Sequence, residues 1–591
     1  MCGVIGYWCP EGFGEAFSVI VDSLKKLEYR GYDSFGIATI NRSVLGVVRA
    51  VGKVSDSKCL PLGGSVGMGH TRWATHGGVS EKNSHPHRDC NNRLAVVHNG
   101  IIENFQELRI ALELRGHILR SDTDTEVLPH LLEEALNLGM SIKDSVISVS
   151  KMLKGRNSFL VLDSLTSTLI ASRNGSPLIV GVSDSSNEVF IASDIPAFLH
   201  KTNQVYYLDD GQVVILDKIP EFFDFTGVSI NKRLITIPWK SEMISKGDYE
   251  HFMIKEIMDQ KDSLISAINQ NPEEIMRVAE EINNSHGVFF IGCGTAAKVC
   301  HIAEYIFSKV ADKHINFVTA SEFENYRHFL LPETLVIAVS QSGETADVLN
   351  ALSVAKSKGS KIISIVNSPT SSMARISDYT FLINAGVEKA VASTKATTSQ
   401  IAVVSLLAYA CAGKLREGDR LLVELAGKVN DLLNPRYEER VKALADRLKD
   451  SENIFIIGRG INYPLALESA IKIMEVSYIH AQGFAGGELK HGPIALITRG
   501  TPVIALVADD DNAQEIISNA MEVKSRGALV IGISPENNPV FDYWLKTPKV
   551  NTVGSAIANL IPVQLLAYHL GIVKGFNVDY PRNLAKSVTV K

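Results

Sequence analysis

The most reactive side chain in the sequence stands at its start, where Cys2 follows Met1 and precedes Gly3. Removal of Met1 would leave a thiol and a free α-amine on the same residue. The α-amine has an ordinary pKa of about 7.7–8.0, so it is partly neutral near pH 7 and could act as the base for the thiol. A Cys-Gly start is common by chance, so the function of Cys2 depends on the residues that accompany it.

Four polar stretches accompany Cys2 in the first part of the chain. They are 29–34 (YRGYDS), 70–77 (HTRWATHG), 98–104 (HNGIIEN) and 121–126 (SDTDTE). Together they resemble the class II glutamine amidotransferases, whose glutaminase domain has the N-terminal-nucleophile fold. The resemblance covers about the first 220 residues.

This resemblance implies a role for each matching residue. Attack on the side-chain amide of glutamine develops an oxyanion, which needs preorganised donors, and the matching donors are the Asn99 side chain and the Gly100 backbone N–H. The α-carboxylate and α-ammonium of glutamine need a cation and a carboxylate, and these match Arg72 and Asp124. Outside these motifs, that pair would be interpreted as a surface ion pair. The remaining matches line the glutamine pocket: Trp73, Thr75 and His76.

Four histidines in the same region raise the alternative of a metal site, because imidazole is a common ligand. They are His70, His76, His85 and His87. Their spacing fits no tight zinc pattern, and no pair of cysteines accompanies them. The resembling family holds no metal here, so the sequence predicts none.

A second polar cluster, 340–345 (SQSGET), follows the apolar run 335–339 and precedes a predicted helix that starts at Ala346. Hydroxyls and backbone N–H groups would therefore meet at a helix N-terminus, an arrangement that suits a phosphate dianion. Helix capping by Ser or Thr is the alternative. Three hydroxyls, an amide and a glycine within six residues favour phosphate.

This loop resembles that of the sugar isomerase (SIS) domain, in which it binds a sugar phosphate. The matching positions are Thr295, Ser340, Gln341, Ser342, Thr345 and Ser393. The family usually reads Cys-Gly-Thr-Ser where this chain has 293–296 (CGTA), so Ala296 lacks a hydroxyl expected near the sugar. A second copy has the acidic stretch 508–512 (ADDDN) in place of the loop. One copy is therefore expected to bind phosphate and the other to supply different groups.

Those groups begin with Glu468, Lys472 and Glu475, which share one face of a predicted helix. A solvated ladder of ion pairs is the alternative interpretation. Together with 487–493 (GELKHGP) and 582–590 (RNLAKSVTV), they resemble the isomerase part of the glucosamine-6-phosphate synthase family. The resemblance then extends from Cys2 to the last residues.

The family resemblance implies conversion of D-fructose 6-phosphate and L-glutamine into D-glucosamine 6-phosphate and L-glutamate, the first step of hexosamine (UDP-N-acetylglucosamine) biosynthesis. Lys586 is expected to form an imine with the open-chain ketose, which needs a neutral amine and hence burial or a nearby cation. His491 is expected to open the sugar ring, and Glu475 to move a proton between C1 and C2. Lys472 and Glu468 would assist.

Ammonia must stay unprotonated between the two reactions, so an internal channel is expected, with Trp73 as its gate. No redox or metal cofactor is expected. Two alternatives stay open: a glutaminase fused to a sugar-phosphate-sensing regulator, and a glutamine-dependent aminotransferase or isomerase acting on a related phosphosugar. The departure at Ala296 supports the second.

The composition excludes several classes of protein. The chain has 591 residues, a net charge of −6, 45% hydrophobic and 21% charged residues, values that disfavour a disordered chain, a nucleic-acid-binding scaffold and a polybasic membrane protein. Seven scattered cysteines favour the reducing cytoplasm. The stretch 550–573 lacks Asp, Glu, Lys and Arg and could span a bilayer, but its Asn, Pro, Gln and His residues predict a buried helix. A homodimer without nucleic-acid or membrane partners is expected.

The pattern of elements predicts three domains. Short β-like runs with few helices predict an α+β N-terminal-nucleophile (four-layer) glutaminase domain, followed by strand–helix alternation typical of α/β domains with parallel sheets. The run 289–294 (FFIGCG) recurs as 455–460 (FIIGRG), which indicates a duplicated SIS domain. The predicted boundaries are 2–220 for the glutaminase, 221–280 for a linker with connecting helices, 281–420 and 446–581 for the SIS domains, and 582–591 for a catalytic tail.

Overall fold

The computed structural model describes residues 2–9, 15–57, 59–183, 187–217, 219–237, 245–369 and 371–589. Met1, residues 238–244 of the predicted linker and residues 590–591 of the predicted tail therefore lie outside the described residues. The chain divides into two compact units, Met1–Ser245 with Ser587–Lys591, and Lys246–Lys586.

The N-terminal unit is built from antiparallel strands and a few helices. The strands are β1 (Gly3–Trp8), β2 (Ser34–Asn41), β3 (Val44–Val51), β4 (Val66–Arg72), β5 (His87–Arg88), β6 (Leu94–Gly100), β7 (Asn157–Asp163), β8 (Thr168–Asn174), β9 (Ile179–Ser183), β10 (Glu188–Ala192), β11 (Gln204–Tyr207), β12 (Gln212–Leu216), β13 (Pro220–Asp224), β14 (Ser229–Ile230) and β15 (Ile235–Thr236). The helices are α1 (Ala16–Leu27), α2 (Phe105–Leu114), α3 (Val127–Asn137) and α4 (Ile142–Met152).

These strands form two sheets that pack face to face. Their orders are β15-β11-β9-β10-β1-β4-β2-β3 and β14-β13-β12-β8-β7-β6-β5. Alternate residues such as Val4 and Met68 of the first sheet share a core with Val97 and Leu160 of the second. Helix α1 packs on β1 and β4, and α4 packs on β8. The result is the helix–sheet–sheet–helix arrangement of four layers, which confirms the predicted fold.

The C-terminal unit alternates strands and helices. Its strands are β16 (Gly287–Gly292), β17 (Asn316–Thr319), β18 (Thr334–Ser340), β19 (Lys361–Val366), β20 (Tyr379–Leu382), β21 (Asn453–Gly458), β22 (His480–Ala485), β23 (Pro502–Leu506), β24 (Leu529–Ser534) and β25 (Tyr543–Lys546). Its helices are α5 (Phe252–Met258), α6 (Gln260–Ile268), α7 (Pro272–Asn284), α8 (Gly294–Ala311), α9 (Ala346–Ser357), α10 (Ser372–Ile376), α11 (Lys395–Cys411), α12 (Leu415–Val429), α13 (Pro435–Leu448), α14 (Asn462–Ser477), α15 (Ala513–Lys524), α16 (Thr552–Ala558) and α17 (Leu560–Val573).

Two parallel sheets with equivalent strand orders confirm the predicted duplication. The first sheet has the order β17-β16-β18-β19-β20 and the second β22-β21-β23-β24-β25. The central strand β18 is buried on both faces. Leu335 and Ile337 belong to the apolar core on one face of the sheet, whereas Val336 and Ala338 belong to the core on the other face. A strand that is covered by helices on both faces reads as a continuous apolar run.

The apolar stretch near the C-terminus is a buried helix pair, as the sequence predicts. Residues Thr552–Val573 are long and apolar enough to cross a membrane, but 89% of the most apolar window is buried inside the protein. Its polar groups bond internally, since Gln564 accepts a hydrogen bond from Gln260 at 2.8 Å and Asn559 donates to the Val507 carbonyl at 3.1 Å. A core helix of a globular unit has these properties.

Candidate functional site

Cys2 immediately precedes the central strand β1 of the N-terminal unit. The next residue must be small, because a Cβ on Gly3 would lie 2.6 Å from the Thr71 hydroxyl oxygen and 2.8 Å from the Leu27 Cβ. Strand β1 pairs with β4 so that Gly3 lies opposite Thr71. This register places the Cys2 Sγ against the backbone of Trp73, whose N–H donates to the sulfur at 3.3 Å.

Cys2 is half-buried. Burial raises its pKa above 9.0, while a hydrogen bond from the Trp73 backbone and the charge of Arg72 lower it without cancelling the effect of burial. The thiol is therefore protonated near pH 7, so nucleophilic attack requires a base. The predicted base is the α-amine of Cys2 that removal of Met1 would leave. Met1 itself lies outside the described residues.

Asn99 and Gly100 end strand β6 beside Cys2. The Asn99 side-chain amide donates to the Cys2 carbonyl oxygen at 3.0 Å. Gly100 has a φ of 125°, and a Cβ there would lie 2.1 Å from the Arg156 carbonyl oxygen, so only glycine fits. Cys2 precedes a strand of one sheet and Asn99 lies on a strand of the other, so the packing of the two sheets brings the predicted oxyanion donor Asn99 against the nucleophilic residue.

Arg72 and Asp124 are both buried, which disagrees with a surface ion pair. The Arg72 guanidinium donates to the carbonyl oxygens of Gly77 at 3.0 Å and Gly78 at 3.1 Å, and it also bonds to the His76 carbonyl. Burial lowers the pKa of Arg72, against the opposing charges of Cys2 and Asp124. Asp124 accepts from the Ile102 N–H at 2.9 Å. Arg72 therefore fixes the loop that carries His76.

Other predicted members of this site are less enclosed. Thr75 is exposed and Trp73 is half-buried. The His76 ring meets the Phe105 ring edge-on, with centroids 5.2 Å apart. Among the four histidines considered as metal ligands, His70 and His85 pack with ring centroids 4.2 Å apart, and burial lowers the pKa of His70 to about 3.

Arg30 is a residue of this site that the sequence analysis missed. Its Nε donates to the Cys2 carbonyl oxygen at 3.3 Å, and a second nitrogen pairs with Asp194 at 2.9 Å. Tyr29 donates to the same carboxylate at 2.5 Å. The motif 29–34 contained the signal, but nothing in its spacing indicated that the arginine reaches the backbone of the nucleophile.

The predicted phosphate loop of the C-terminal unit lies between β18 and α9. Ser340 accepts from the Gly343 N–H at 3.0 Å, and Ser342 accepts from the Glu344 N–H at 3.2 Å. Gly343 has a φ of 66°, and a Cβ there would lie 2.2 Å from the Ser371 hydroxyl. The Ser340 and Thr345 hydroxyl oxygens are 3.4 Å apart. Gln341 is half-buried in this loop.

The corresponding loop of the second sheet carries negative charge. After β23, the Asp510 carboxylate accepts from the Asn512 N–H at 2.9 Å, and Lys549 pairs with Asp509 at 3.0 Å. The acidic stretch is thus held by a hydrogen bond within itself and by the ion pair with Lys549. The difference between the two loops agrees with a phosphate site in the first copy alone.

The three charged residues on α14 form a buried cluster. The Lys472 Nζ lies 2.6 Å from Glu475 and 3.5 Å from Glu468. Lys472 and Glu468 are fully buried, whereas the Glu475 side chain is 22% exposed. Burial lowers the pKa of Lys472, but the two carboxylates raise this pKa by more than burial lowers it. The pKa of Lys472 therefore lies above 10.5. The alternative of a solvated ladder is therefore wrong.

Thr295 joins the two SIS copies at this cluster. Its hydroxyl donates to one carboxylate oxygen of Glu468 at 3.1 Å, whereas the other oxygen is buried without a partner among the described residues. Ala296 is half-buried in the first turn of α8. Thr295 is predicted to bind the sugar phosphate together with the phosphate loop, but its described contact is with Glu468.

Glu468→Gln is expected to change the pH dependence of stability. Burial raises the pKa of Glu468 to about 7 from an ordinary 4.5, against the lowering effect of Lys472. The folded state then holds a proton that the unfolded state has lost, so the native chain loses stability as pH rises from about 4.5 to about 7. Each pKa unit corresponds to about 1.4 kcal/mol.

Denaturant unfolding at pH 5, 6, 7 and 8 measures this effect. The Glu468→Gln variant should gain stability relative to the unmodified chain across that range, since it carries no proton to lose. Exposed Glu452 supplies the control as Glu452→Gln. A difference between the Glu468→Gln and native chains that is constant with pH would contradict the assignment.

Glu388 is the second residue that the sequence analysis missed. Its Oε2 pairs with the Lys586 Nζ at 2.5 Å and accepts from the Ser393 hydroxyl at 3.1 Å. Its Oε1 accepts from the Thr394 N–H at 2.9 Å. Burial would raise the pKa of Glu388, but Lys586 together with these hydrogen bonds holds it below 4.5. Burial or a nearby cation is expected to keep the Lys586 amine neutral; in the structure the Lys586 side chain is buried and its partner is a carboxylate.

A further carboxylate lies behind this pair. Glu256 on α5 is buried and accepts from the N–H groups of Lys389 at 2.5 Å and Ala390 at 3.3 Å. Burial, followed by the charge of Glu388, raises the pKa of Glu256 to about 8. Glu256 is therefore a neutral acid near pH 7, and Glu388 carries the negative charge opposite Lys586.

Comparison with known proteins agrees with this geometry. A family model described as a glutamine amidotransferase domain matches residues 70–200, and one described as an SIS domain matches 281–410 and 447–574. Glutamine–fructose-6-phosphate aminotransferase [isomerizing] from Thermococcus kodakarensis is 42% identical over 609 residues, which covers 100% of both chains. The chain belongs to this family. The same-named protein of Pyrococcus horikoshii is 42% identical over 606 residues, again with 100% coverage of both.

The isomerizing aminotransferase family is also represented among solved structures. The C-terminal domain of glucosamine-fructose-6-phosphate aminotransferase from Francisella tularensis is 31% identical, with a TM-score of 0.52, and covers 57% of this chain and 99% of that one. The family and the fold predicted from the sequence motifs are therefore confirmed.

One predicted residue of this aminotransferase family stands apart from the cluster. His491 ends the short helix Gly486–His491 and is exposed. Within the described part of the chain it makes no side-chain contact with Glu475, Lys472 or Lys586. Its role in ring opening therefore depends on the sequence motif alone.

Proposed function

We propose that the chain converts D-fructose 6-phosphate and L-glutamine into D-glucosamine 6-phosphate and L-glutamate. The observation that carries the proposal is the buried contact of Lys586 with Glu388 beside Ser393. A regulator that only sensed sugar phosphate would need the phosphate loop but no buried amine. The family membership and the contacts of Cys2 with Trp73 and Asn99 support the same reaction.

In the glutaminase half, the Cys2 thiol transfers its proton to the α-amine and attacks the side-chain amide carbon of glutamine. Asn99 and the Gly100 N–H stabilise the oxyanion, and Arg72 and Asp124 hold the α-carboxylate and the α-ammonium. Collapse of the tetrahedral centre expels ammonia and leaves a γ-glutamyl thioester. Water then hydrolyses the thioester to glutamate.

In the isomerase half, the loop at Ser340–Thr345 binds the phosphate, with Gln341 and Ser342 as further donors. Glu388 accepts a proton from Lys586, and the neutral amine attacks the C2 carbonyl of the open-chain ketose and expels water as the imine forms. Ammonia replaces the lysine on C2. Glu475 then moves a proton from C1 to C2, supported by Lys472 and Glu468.

This sequence needs no external oxidant or reductant, because C1 is oxidised to the aldehyde as C2 is reduced to the amine. We therefore assign no cofactor to the reaction. We also assign the domains as predicted, with glutaminase residues 2–220, SIS residues 281–420 and 446–581, and a catalytic tail from 582. A channel gated by Trp73, a homodimeric state and a cytoplasmic location complete the proposal.

A coupled assay of the full chain tests the function. Glutamate and glucosamine 6-phosphate should form in a one-to-one ratio from glutamine and fructose 6-phosphate. The half-buried Ala296, where the family usually has serine, favours the alternative of a related phosphosugar, so other ketose 6-phosphates belong in the same assay. Glutamate release without an amino sugar from any of them would contradict the proposal.

Ser342→Ala is expected to weaken binding of fructose 6-phosphate. Loss of one hydrogen bond to a charged group costs about 1.5–3 kcal/mol, roughly 10- to 150-fold in affinity. The KM for the sugar phosphate measures this effect, and basal glutamine hydrolysis should stay unchanged. The matched control is Ser357→Ala at the far end of α9, where the hydroxyl donates to the Val354 carbonyl. An unchanged KM in Ser342→Ala would place the phosphate elsewhere.

A further inference from the structure

A second group of side chains converges in the N-terminal unit, among residues that the glutamine chemistry does not use. It consists of Cys90, His117, His130 and Glu133, whose ligand atoms all lie within 4.8 Å of one another. Cys90 follows β5, His117 follows α2, and His130 and Glu133 are three residues apart on α3. Three separate segments therefore meet at one point.

The neighbouring polar atoms of this group lie 3.3 to 3.6 Å from one another. The two imidazole Nδ1 atoms are 3.3 Å apart. The Cys90 Sγ is 3.6 Å from the Nδ1 of His117 and 3.5 Å from that of His130. The Glu133 Oε2 is 3.3 Å from the first nitrogen and 3.6 Å from the second. A strong N–H···O bond would measure about 2.7–3.2 Å.

These distances fit the edges of a tetrahedron around a zinc ion. Bond lengths of about 2.3 Å to sulfur and 2.0–2.1 Å to nitrogen, at the tetrahedral angle, give edges of about 3.5 Å between S and N and about 3.3 Å between two N. The observed S–N and N–N distances agree with both values. The ligand set of one thiolate, two imidazoles and one carboxylate is also one that zinc accepts.

Outer contacts hold the ligands in this arrangement. The Nε2 of His117 lies 3.3 Å from the Glu134 carboxylate, and such a carboxylate is the usual partner of the second nitrogen of a metal-bound histidine. The other oxygen of Glu133 accepts from the Asn91 side chain at 2.6 Å, and its Oε2 accepts from the Cys90 N–H at 3.2 Å. These outer contacts orient three of the four ligand side chains or their backbone, as the surroundings of a metal site do.

We propose that Cys90, His117, His130 and Glu133 bind one Zn²⁺ ion. The Cys90 thiol releases its proton to solvent as the thiolate–zinc bond forms. Four protein ligands close the tetrahedron, so the site is structural and not catalytic. The ion links the loop after β5, the loop after α2 and helix α3. Because Cys90 is exposed, the ion can enter from solvent.

This proposal replaces the expectation that the chain holds no metal. That expectation considered His70, His76, His85 and His87, which are close in sequence. The proposed ligands are spread over 43 residues, and only the packing of α3 against its neighbours brings them together. No sequence spacing of the common zinc motifs would have found them.

Metal analysis of the full-length chain, purified without an affinity tag and incubated with equimolar zinc, tests the proposal. About one zinc per chain is expected after gel filtration. Cys90→Ser and His117→Ala, both at positions reached by solvent, should each weaken zinc binding by roughly 100-fold or more, because loss of an outer-shell group alone costs 10- to 100-fold. Cys59→Ser and the exposed His314→Ala are the matched controls and should bind like the native chain.

Cobalt substitution identifies the thiolate ligand. A thiolate-to-cobalt charge-transfer band is expected in the native chain, in Cys59→Ser and in Cys2→Ala, but not in Cys90→Ser. The Tm of the metal-free native chain should rise when zinc is added, and that of the double variant Cys90→Ser/His117→Ala should not. Less than about a tenth of a zinc per native chain, or loss of the metal in Cys2→Ala and not in Cys90→Ser, would overturn the proposal.

Discussion

Replacement of Cys2 by alanine is expected to abolish glutamine-dependent synthesis of the amino sugar. The Trp73 N–H donates to the Cys2 sulfur, and the Asn99 amide lies against the carbonyl oxygen of the same residue. Removal of a covalent nucleophile typically lowers kcat by about 10⁴- to 10⁶-fold. Glutamate release should therefore fall by at least about 10⁴-fold, which a glutaminase assay without sugar measures directly.

Sugar isomerisation provides the internal control for this variant. The residues proposed for it lie in the C-terminal unit, so Cys2→Ala should still convert fructose 6-phosphate. Cys59→Ala, also in the N-terminal unit, should keep both activities. Loss of both activities in Cys2→Ala, with a native circular dichroism spectrum, would contradict the separation of the two sites. Intact-mass analysis of active enzyme should show that Met1 is absent, because the α-amine of Cys2 is the proposed base.

Local sequence patterns were sufficient to predict most of the fold. The apolar run 335–339 followed by hydroxyl residues predicted a buried strand and a helix start, and β18 and α9 lie there. The repeat spacing predicted two similar domains, and the two parallel sheets have equivalent strand orders. Such predictions succeed because a strand that is buried on both faces consists of consecutive apolar residues, so adjacent positions in the sequence are enough to recognise it.

Contacts between distant segments could not be predicted in the same way. Lys586 and Glu388 are separated by 198 residues, and the glutamate belongs to no recognisable motif. Arg30 stood within a quoted motif, yet its contact with the Cys2 carbonyl follows from the strand register and not from the motif. The zinc ligands are a third case. Each of these contacts forms only because distant elements pack together, and a buried charge must find a partner wherever the fold supplies one.

Lys586→Arg is expected to eliminate synthesis while preserving the fold. A guanidinium stays protonated at any accessible pH, so it cannot form an imine. It can still pair with Glu388, whose side chain is fully buried. Lys586→Met would instead leave that carboxylate unpaired, which typically costs about 3–5 kcal/mol of folding stability. The arginine variant therefore tests the loss of the imine-forming amine without this loss of stability. Synthase activity should fall by at least about 10³-fold, with basal glutamine hydrolysis retained as the control.

Borohydride reduction in the presence of fructose 6-phosphate identifies the amine that forms the imine. Peptide mapping should locate the trapped sugar on Lys586 in the native chain and nowhere in Lys586→Arg. Lys472 is the competing amine in the same unit, but it is held between two carboxylates that raise its pKa, so it stays protonated and a poor nucleophile. Trapping on Lys472, or synthase activity within tenfold of native in Lys586→Arg, would show that Lys586 serves only to neutralise Glu388.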